Sequence, residues 1–187
     1  KEALGTVWKP IVILWIVLVL RAFTSQSVMT FIPVLYSKEG YSLVSIGYIV
    51  SLFTVAGAFS GLFAGHLSDR MEYKTIFIVT HSLATPSLLL LLFLPGNWVY
   101  VSALVAGFFL LATLPLGVVM AQELAPRGKS MVSSLMMGLA FGVGGIMTPL
   151  TGKLADIFSI RPVLTSLAII PLLTTGLIAL FPGKKHR

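Results

Sequence analysis

Cysteine is absent from this 187-residue sequence, and charged side chains are scarce. Without cysteine, neither a disulfide framework nor a thiolate metal site can form. Charged residues make up 10% of the chain, compared with about 25% in soluble domains, whereas hydrophobic residues make up 57%. A chain with so little charge must lie mostly in lipid, and we expect a bilayer to be its main environment.

The sequence also lacks the short motifs that mark common enzyme classes. It contains no Gly-x-Ser-x-Gly nucleophile elbow, no His-Glu-x-x-His pair and no complete Gly-x-x-x-x-Gly-Lys-Ser/Thr phosphate loop. Its 3 histidines are scattered, so a metal site is not expected. We therefore predict no catalytic residue, no metal and no cofactor, and we expect that the protein is not an enzyme.

Six apolar runs are long enough to cross a membrane, since a spanning helix needs about 20 residues. Strict alternation is absent, and the runs are too long for the strands of a membrane barrel. The sequence therefore predicts an all-α integral membrane protein with six transmembrane helices. The predicted spans are 10–34, 43–66, 75–94, 98–121, 131–153 and 162–181.

The basic residues predict how these spans are oriented. The net charge of +7 does not indicate a nucleic-acid partner, because the basic residues flank apolar runs and form no continuous patch. Nine of them fall on one side and three on the other, which makes the first side cytoplasmic. We expect both termini there, in a bacterial or archaeal cytoplasmic membrane. The nine are Lys1, Lys9, Arg70, Lys74, Arg127, Lys129, Lys184, Lys185 and Arg187; the three are Lys38, Lys153 and Arg161.

A charged turn, Gly65–Lys74, separates the second and third runs, and a weaker copy, Gly152–Arg161, follows 87 positions later. Because three spans separate the copies, they lie on opposite faces of the membrane, as in a 3+3 inverted repeat. Chance coincidence in apolar sequence is the alternative. We predict one domain, 1–187, with repeat halves at approximately 9–95 and 96–183. Because the first residue is Lys, we expect a processed chain or part of a longer protein.

Small residues recur at helical spacing in the second and fifth spans. In lipid, small residues in register allow helices to approach closely. These residues either form ordinary tight packing or let the two spans rock against their neighbours during transport. The predicted packing residues are Gly57, Gly61, Gly138, Gly142, Gly145, Pro149 and Gly152.

Arg21 is an ionisable residue near the middle of the first span, roughly 15 Å into the hydrocarbon. Thr24 and Ser25 share its helix face and Gln26 is adjacent, so the four predict a polar notch that binds an anionic or hydrogen-bonding substrate. The alternative is that Arg21 binds helix carbonyls or an acidic residue elsewhere. His81 is interpreted as a packed or lipid-edge histidine with a local hydrogen bond, in preference to a proton relay.

Charged residues of the second and fourth loops predict a gate on the cytoplasmic side. The hypothesis pairs Glu123 with Arg70 or Lys74; the alternative is a set of solvated loop charges. The predicted gating residues are Gly65, Asp69, Arg70, Lys74, Glu123 and Arg127.

The turn at Gly65–Lys74 resembles the cytoplasmic loop motif of the major facilitator superfamily, Gly-x-Leu-Ala/Ser-Asp-Arg-x-Gly-Arg-Arg/Lys. Glu72 and Tyr73 depart from this motif and thin its basic cluster. The resemblance extends over the whole chain as one six-helix half of the usual twelve helices. The matching residues are Gly65, Leu67, Ser68, Asp69, Arg70 and Lys74.

The segment Gln122–Gly128 and the glycine-rich fifth span resemble the C-terminal half of such carriers, similar to the fosmidomycin-resistance type. This resemblance implies proton-driven efflux of a small compound by alternating access, with a cavity between two halves lined by spans 1, 2, 4 and 5. The partner would be an N-terminal half of the same protein or a second copy of this chain. A membrane scaffold or subunit that does not transport is the competing reading, and an intramembrane enzyme is a weaker one.

Overall fold

The computed structural model describes residues 2–180, except for the side chains of residues 2–7 and Arg127. Within this part the chain is helical and contains no strand. The α-helices are α1 (Glu2–Lys38), α2 (Leu43–Ser68), α3 (Tyr73–Phe93), α4 (Trp98–Leu111), α5 (Thr113–Leu124), α6 (Lys129–Ser134), α7 (Ala140–Phe158) and α8 (Ile160–Ala179), with a 3₁₀ turn at Pro126–Gly128 and a π-helical turn at Leu135–Leu139.

These helices form six stretches that are long and apolar enough to cross a membrane, which confirms the predicted fold class. The observed spans reach further than predicted at several ends, because charged residues near a membrane surface can remain helical while their side chains extend into the polar layer. Spans 1 to 6 are Trp8–Lys38, Leu43–Ser68, Tyr73–Phe93, Trp98–Leu124, Lys129–Phe158 and Ile160–Ala179.

Short turns connect the spans. Gly40 and Gly96 have positive φ angles of 85° and 67°, a conformation that glycine adopts without steric cost. Ser42 caps span 2 by accepting a hydrogen bond from the Ser45 amide at 3.2 Å. Ser159, with φ of 74°, alone separates spans 5 and 6. Neighbouring spans are therefore held closely at their ends.

The spans pack in a limited set of pairs. Span 1 packs mainly against spans 5 and 6, span 2 against span 4, and span 3 against spans 4 and 6. Spans 2 and 5 are the least covered, with 33% and 22% of their most apolar windows buried. The core consists of two apolar clusters, one toward the predicted outer side and one toward the predicted cytoplasmic side.

Gly107 allows the closest contact between spans 2 and 4. A Cβ at this position would lie 2.7 Å from the carbonyl carbon and 2.8 Å from the Cα of Phe53. Both are backbone atoms, which cannot rotate away as a side chain would. This close approach of spans 2 and 4 thus depends on a residue that is not among the predicted packing residues.

We expect Gly107→Ala to lower the free energy of unfolding by about 1–3 kcal/mol, because the added methyl group forces the two backbones apart. Unfolding of the complete protein in detergent, followed by circular dichroism against denaturant, measures the change. Gly47→Ala is the matched control, since a Cβ there meets no atom within 4 Å. Equal stability of the two variants would contradict the close contact.

Candidate functional site

Arg21 lies at the depth where the two apolar clusters meet. Val19 belongs to the cluster on the predicted cytoplasmic side and Phe23 to the cluster on the other. The same division occurs in span 4 between Leu110 and Ala112. Arg21 is only 2% exposed. Its guanidinium is therefore inside the helix bundle, in a thin polar layer between two apolar regions.

The guanidinium of Arg21 is held by the main chain of span 4 and a ring of span 5. Nε donates a hydrogen bond to the carbonyl of Leu110 at 3.2 Å, and Nη2 donates to the carbonyl of Leu111 at 3.4 Å. Its central carbon lies 5.8 Å from the centroid of the Phe141 ring, within the range of a cation–π contact. Nη1 is buried and has no hydrogen-bond partner among the described residues.

Arg21 has no carboxylate partner in the part of the chain that the structure describes. The described ion pair joins Glu39 to Arg161 instead. The acidic residues with described side chains all lie at span ends or in turns: Glu39, Asp69, Glu72, Glu123 and Asp156. Within the described residues, carbonyl dipoles and an aromatic face are therefore what balances the positive charge of Arg21.

The other predicted notch residues divide into two groups. Thr24 and Ser25 donate their hydroxyl hydrogens to carbonyls of their own helix, at 2.9 Å to Leu20 and 3.1 Å to Ala22. Gln26 Nε2 instead donates to the carbonyl of Phe141 at 3.0 Å. Gln26 and Arg21 thus both reach Phe141, whereas the two hydroxyl groups serve the helix locally.

A buried hydroxyl pair between spans 1 and 5 extends this polar face. The Oγ of Ser27 and the Oγ1 of Thr151 are 2.8 Å apart, and both residues are 0% exposed. Sequence analysis did not select either residue. The usable signal was that Ser27 continues the polar run from Thr24 to Gln26.

His81 is packed in span 3, which is one of the two environments that the sequence predicted. It is 2% exposed, and its ring stacks on Phe77 with centroids 4.7 Å apart. The expected local hydrogen bond is not formed with normal geometry, since both ring nitrogens are buried without a partner in the described part.

The predicted gating residues lie at the ends of spans 2, 3 and 4. Asp69 caps span 2 through its amide, and Arg70 is exposed. Lys74 Nζ donates to the carbonyl of Ala179 at the end of span 6, at 3.0 Å. Glu123 is exposed at the end of span 4. A Cβ added at Gly65 would meet no atom within 4 Å. The side chain of Arg127 lies outside the described residues.

The glycines of spans 2 and 5 differ in what they contact. A Cβ at Gly57 would lie 2.7 Å from Leu111 Cβ, and one at Gly144 would lie 2.8 Å from the Phe23 amide nitrogen. Gly61, Gly145 and Gly152 also face neighbouring spans, at 3.5 Å from Pro115 Cγ, 2.9 Å from Gln26 Oε1 and 3.0 Å from Phe31 Cζ. A Cβ at Gly138 or Gly142 would meet nothing within 4 Å, and Pro149 is exposed.

An ion pair between Glu39 and Arg161 joins the ends of spans 1 and 6. The Arg161 guanidinium also lies 5.7 Å from the ring centroid of Phe93, at the end of span 3. Sequence analysis placed Arg161 on the outer side but did not identify its acidic partner, which is 122 positions away.

Six helices that are long and apolar enough to cross a bilayer are the architecture of an integral membrane protein. A family model described as the Major Facilitator Superfamily matches residues 1–134. The chain therefore belongs to the major facilitator superfamily of membrane transporters.

Curated relatives support the same family. The chain is 31% identical over 154 residues to the fosmidomycin resistance protein of Escherichia coli strain K12, covering 82% of this chain and 37% of that protein. It is 28% identical over 140 residues to the uncharacterized MFS-type transporter YfnC of Bacillus subtilis strain 168, covering 74% of this chain and 34% of that protein. The chain thus spans little more than a third of these relatives.

A solved structure shows the same fold. The superfamily transporter FucP, in its outward conformation, superposes with a TM-score of 0.74 at 15% sequence identity. The match covers 91% of this chain and 43% of that one. At this identity the similarity establishes the arrangement of helices alone.

We expect Ser27→Ala to lower the free energy of unfolding by about 1 kcal/mol, because it leaves the buried Thr151 hydroxyl without its partner. Adding Thr151→Val should cost little more, since no orphaned hydroxyl then remains. Denaturant unfolding of the single and double variants measures the coupling. Ser166→Ala is the control, because this exposed hydroxyl bonds only its own helix, at 3.0 Å from the Pro162 carbonyl. Additive effects of Ser27→Ala and Thr151→Val would contradict the pair.

Proposed function

We propose that this chain is a six-helix half of a secondary transporter that exports a small anionic compound by proton-coupled alternating access. Arg21 is its anion-binding group, with Thr24, Ser25 and Gln26 as neighbouring polar residues. The observation that supports this proposal is that the buried charge of Arg21 has no carboxylate partner among the described residues. A buried charge is costly unless it is paired, so an anion at Nη1 would stabilise the site.

Access to Arg21 requires a movement of helices. A surface that faces a second half would be exposed in this domain alone, yet Arg21 is 2% exposed. The anion would therefore reach the guanidinium only when span 4 or span 5 moves relative to span 1. Alternating access supplies such a movement, because transporter repeats rock against each other around a site near the membrane midplane.

The exposed faces of spans 2 and 5 support a second half as partner. Large apolar side chains project from both spans, and the exposed faces are also rich in small residues. Because small residues let helices approach closely, these two faces fit another six-helix unit better than they fit lipid alone. The partner is the N-terminal half of the same protein, with this chain as the C-terminal half, or a second copy of this chain. The exposed residues include Leu62 and Phe63 in span 2, at 72% and 66%, and Ile146 and Met137 in span 5, at 80% and 53%.

Equivalent contacts support the inverted repeat. Gly57 in span 2 packs on Leu111 in span 4, and Gly144 in span 5 packs on Phe23 in span 1. A shift of 87 positions relates Gly57 to Gly144, and it relates Phe23 to Leu110, the neighbour of Leu111. The start of span 3 likewise contacts the end of span 6 through Lys74, and the start of span 6 contacts the end of span 3 through Arg161.

We expect Arg21→Gln to weaken anion transport at least about tenfold, seen as a higher KM, because one charged hydrogen bond is worth more than 1.4 kcal/mol. The measurement is accumulation of labelled anions in inside-out vesicles that contain the complete protein, with an uncharged analogue tested in parallel. A protonophore should abolish accumulation if protons drive export.

Arg161→Gln is the matched control, because it removes an arginine at the outer end of span 6 and leaves Arg21 intact. Unchanged transport of every anion by Arg21→Gln would refute the anion site. Accumulation that persists with the protonophore would refute proton coupling and leave the anion site standing.

We also propose that the loop charges form a cytoplasmic gate in which Glu123 pairs with Arg70 or Lys74 in one state of the cycle. Glu123→Arg and Arg70→Glu should each slow transport several-fold, and the double swap should restore most of it, since attraction returns with reversed signs. Transport rates in the same vesicles provide the measurement. A double variant as slow as the singles would exclude a pair with Arg70.

A further inference from the structure

The hydrogen-bond ladder of span 4 is interrupted at Ala112, between α4 and α5. Ala112 keeps helical angles, with φ of −56° and ψ of −29°, so the chain continues in nearly the same direction. Pro115 lies three residues later, and its nitrogen carries no hydrogen, so the carbonyl of Leu111, four residues before it, has no helical donor. In the middle of a membrane no water replaces such a bond.

Arg21 provides a donor at this place. Its Nη2 donates to the carbonyl of Leu111 at 3.4 Å, and its Nε donates to the neighbouring carbonyl of Leu110 at 3.2 Å. We propose that Arg21 substitutes for the missing amide hydrogen of Pro115, and that span 4 has a hinge at Ala112 which Arg21 holds in its present geometry. Both bonds join groups of this chain, so the proposal does not depend on the identity of the transported compound.

At four other prolines within the spans, the described residues provide no such side-chain donor. A proline inside a helix frees the carbonyl four positions earlier, which is that of Met29, Ser82, Gly145 or Leu167 for Pro33, Pro86, Pro149 and Pro171. Among residues 8–180, Leu111 is the only one of these freed carbonyls to which a side chain donates a hydrogen bond. The helix also stays continuous at the other sites: Pro33, Pro86, Pro149 and Pro171.

The neighbours of the interruption are suited to movement. Gly57 and Gly61 of span 2 lie against Leu111 and Pro115, so this side presents no interlocking side chain. The interruption also falls between the two apolar clusters, since Leu110 belongs to one and Ala112 to the other. A bend at Ala112 would therefore shift one cluster relative to the other without breaking either.

The test is a double-variant cycle in the complete protein. Arg21→Met should lower the midpoint of thermal unfolding in detergent. Pro115→Ala restores an amide hydrogen for Leu111, so Arg21→Met should cost much less in the Pro115→Ala background. This chain has no cysteine, so once any cysteine elsewhere in the complete protein is replaced, a single Thr113→Cys reports the hinge. Maleimide labelling of this buried position should accelerate about tenfold with Arg21→Met and return toward the original rate with Pro115→Ala.

Pro149→Ala is the matched control, because it restores an amide in span 5, where no side chain compensates. It should leave the cost of Arg21→Met unchanged. Equal rescue by Pro149→Ala, or additive effects of Arg21→Met and Pro115→Ala, would overturn the proposal. Should Arg21→Met alone yield no folded protein, recovery of folded protein by Pro115→Ala supports the hinge, and failure to recover it overturns the hinge. Neither outcome depends on anion transport, so the two proposals can fail separately.

Discussion

A buried guanidinium in a membrane protein constrains everything packed around it. Placing an arginine at the centre of a membrane helix costs about 2.5–3.5 kcal/mol, and the surrounding protein must offset that cost. Arg21 meets this requirement by joining span 1 to two carbonyls of span 4 and to the face of Phe141 in span 5. Three spans that are distant in sequence are thereby fixed at one depth.

Close helix contacts surround this group. Arg21 reaches the carbonyls of span 4 through its long side chain, while glycines let neighbouring pairs of spans approach each other closely. Gly107 and Gly57 admit span 2 against span 4, and Gly144 admits span 5 against span 1. Because lipid provides no hydrophobic drive between helices, such close packing is itself a main source of stability.

The sequence predicted the six spans well because length and apolarity decide membrane insertion almost alone. It also placed Arg21 correctly within span 1, and it offered the carbonyl alternative that the geometry realises. It did not predict the interruption at Ala112 or the π-helical turn Leu135–Leu139, since each depends on contacts between spans. The pairing of Ser27 with Thr151 was missed for the same reason: their separation of 124 positions leaves no local pattern.

The hydrogen-bonding capacity of Arg21 links its two proposed roles. A guanidinium has five N–H donors, and Nε and Nη2 are engaged with span 4 while Nη1 is not. An anion bound only through Nη1 would leave the hinge held. A carboxylate or phosphate bound bidentately through Nη1 and Nη2 would use the second hydrogen of Nη2 and leave the bond to the Leu111 carbonyl in place. The anion and the hinge in span 4 would then be held by different hydrogens of one planar guanidinium, so a movement of span 4 that turns this group would also turn the donors offered to the anion.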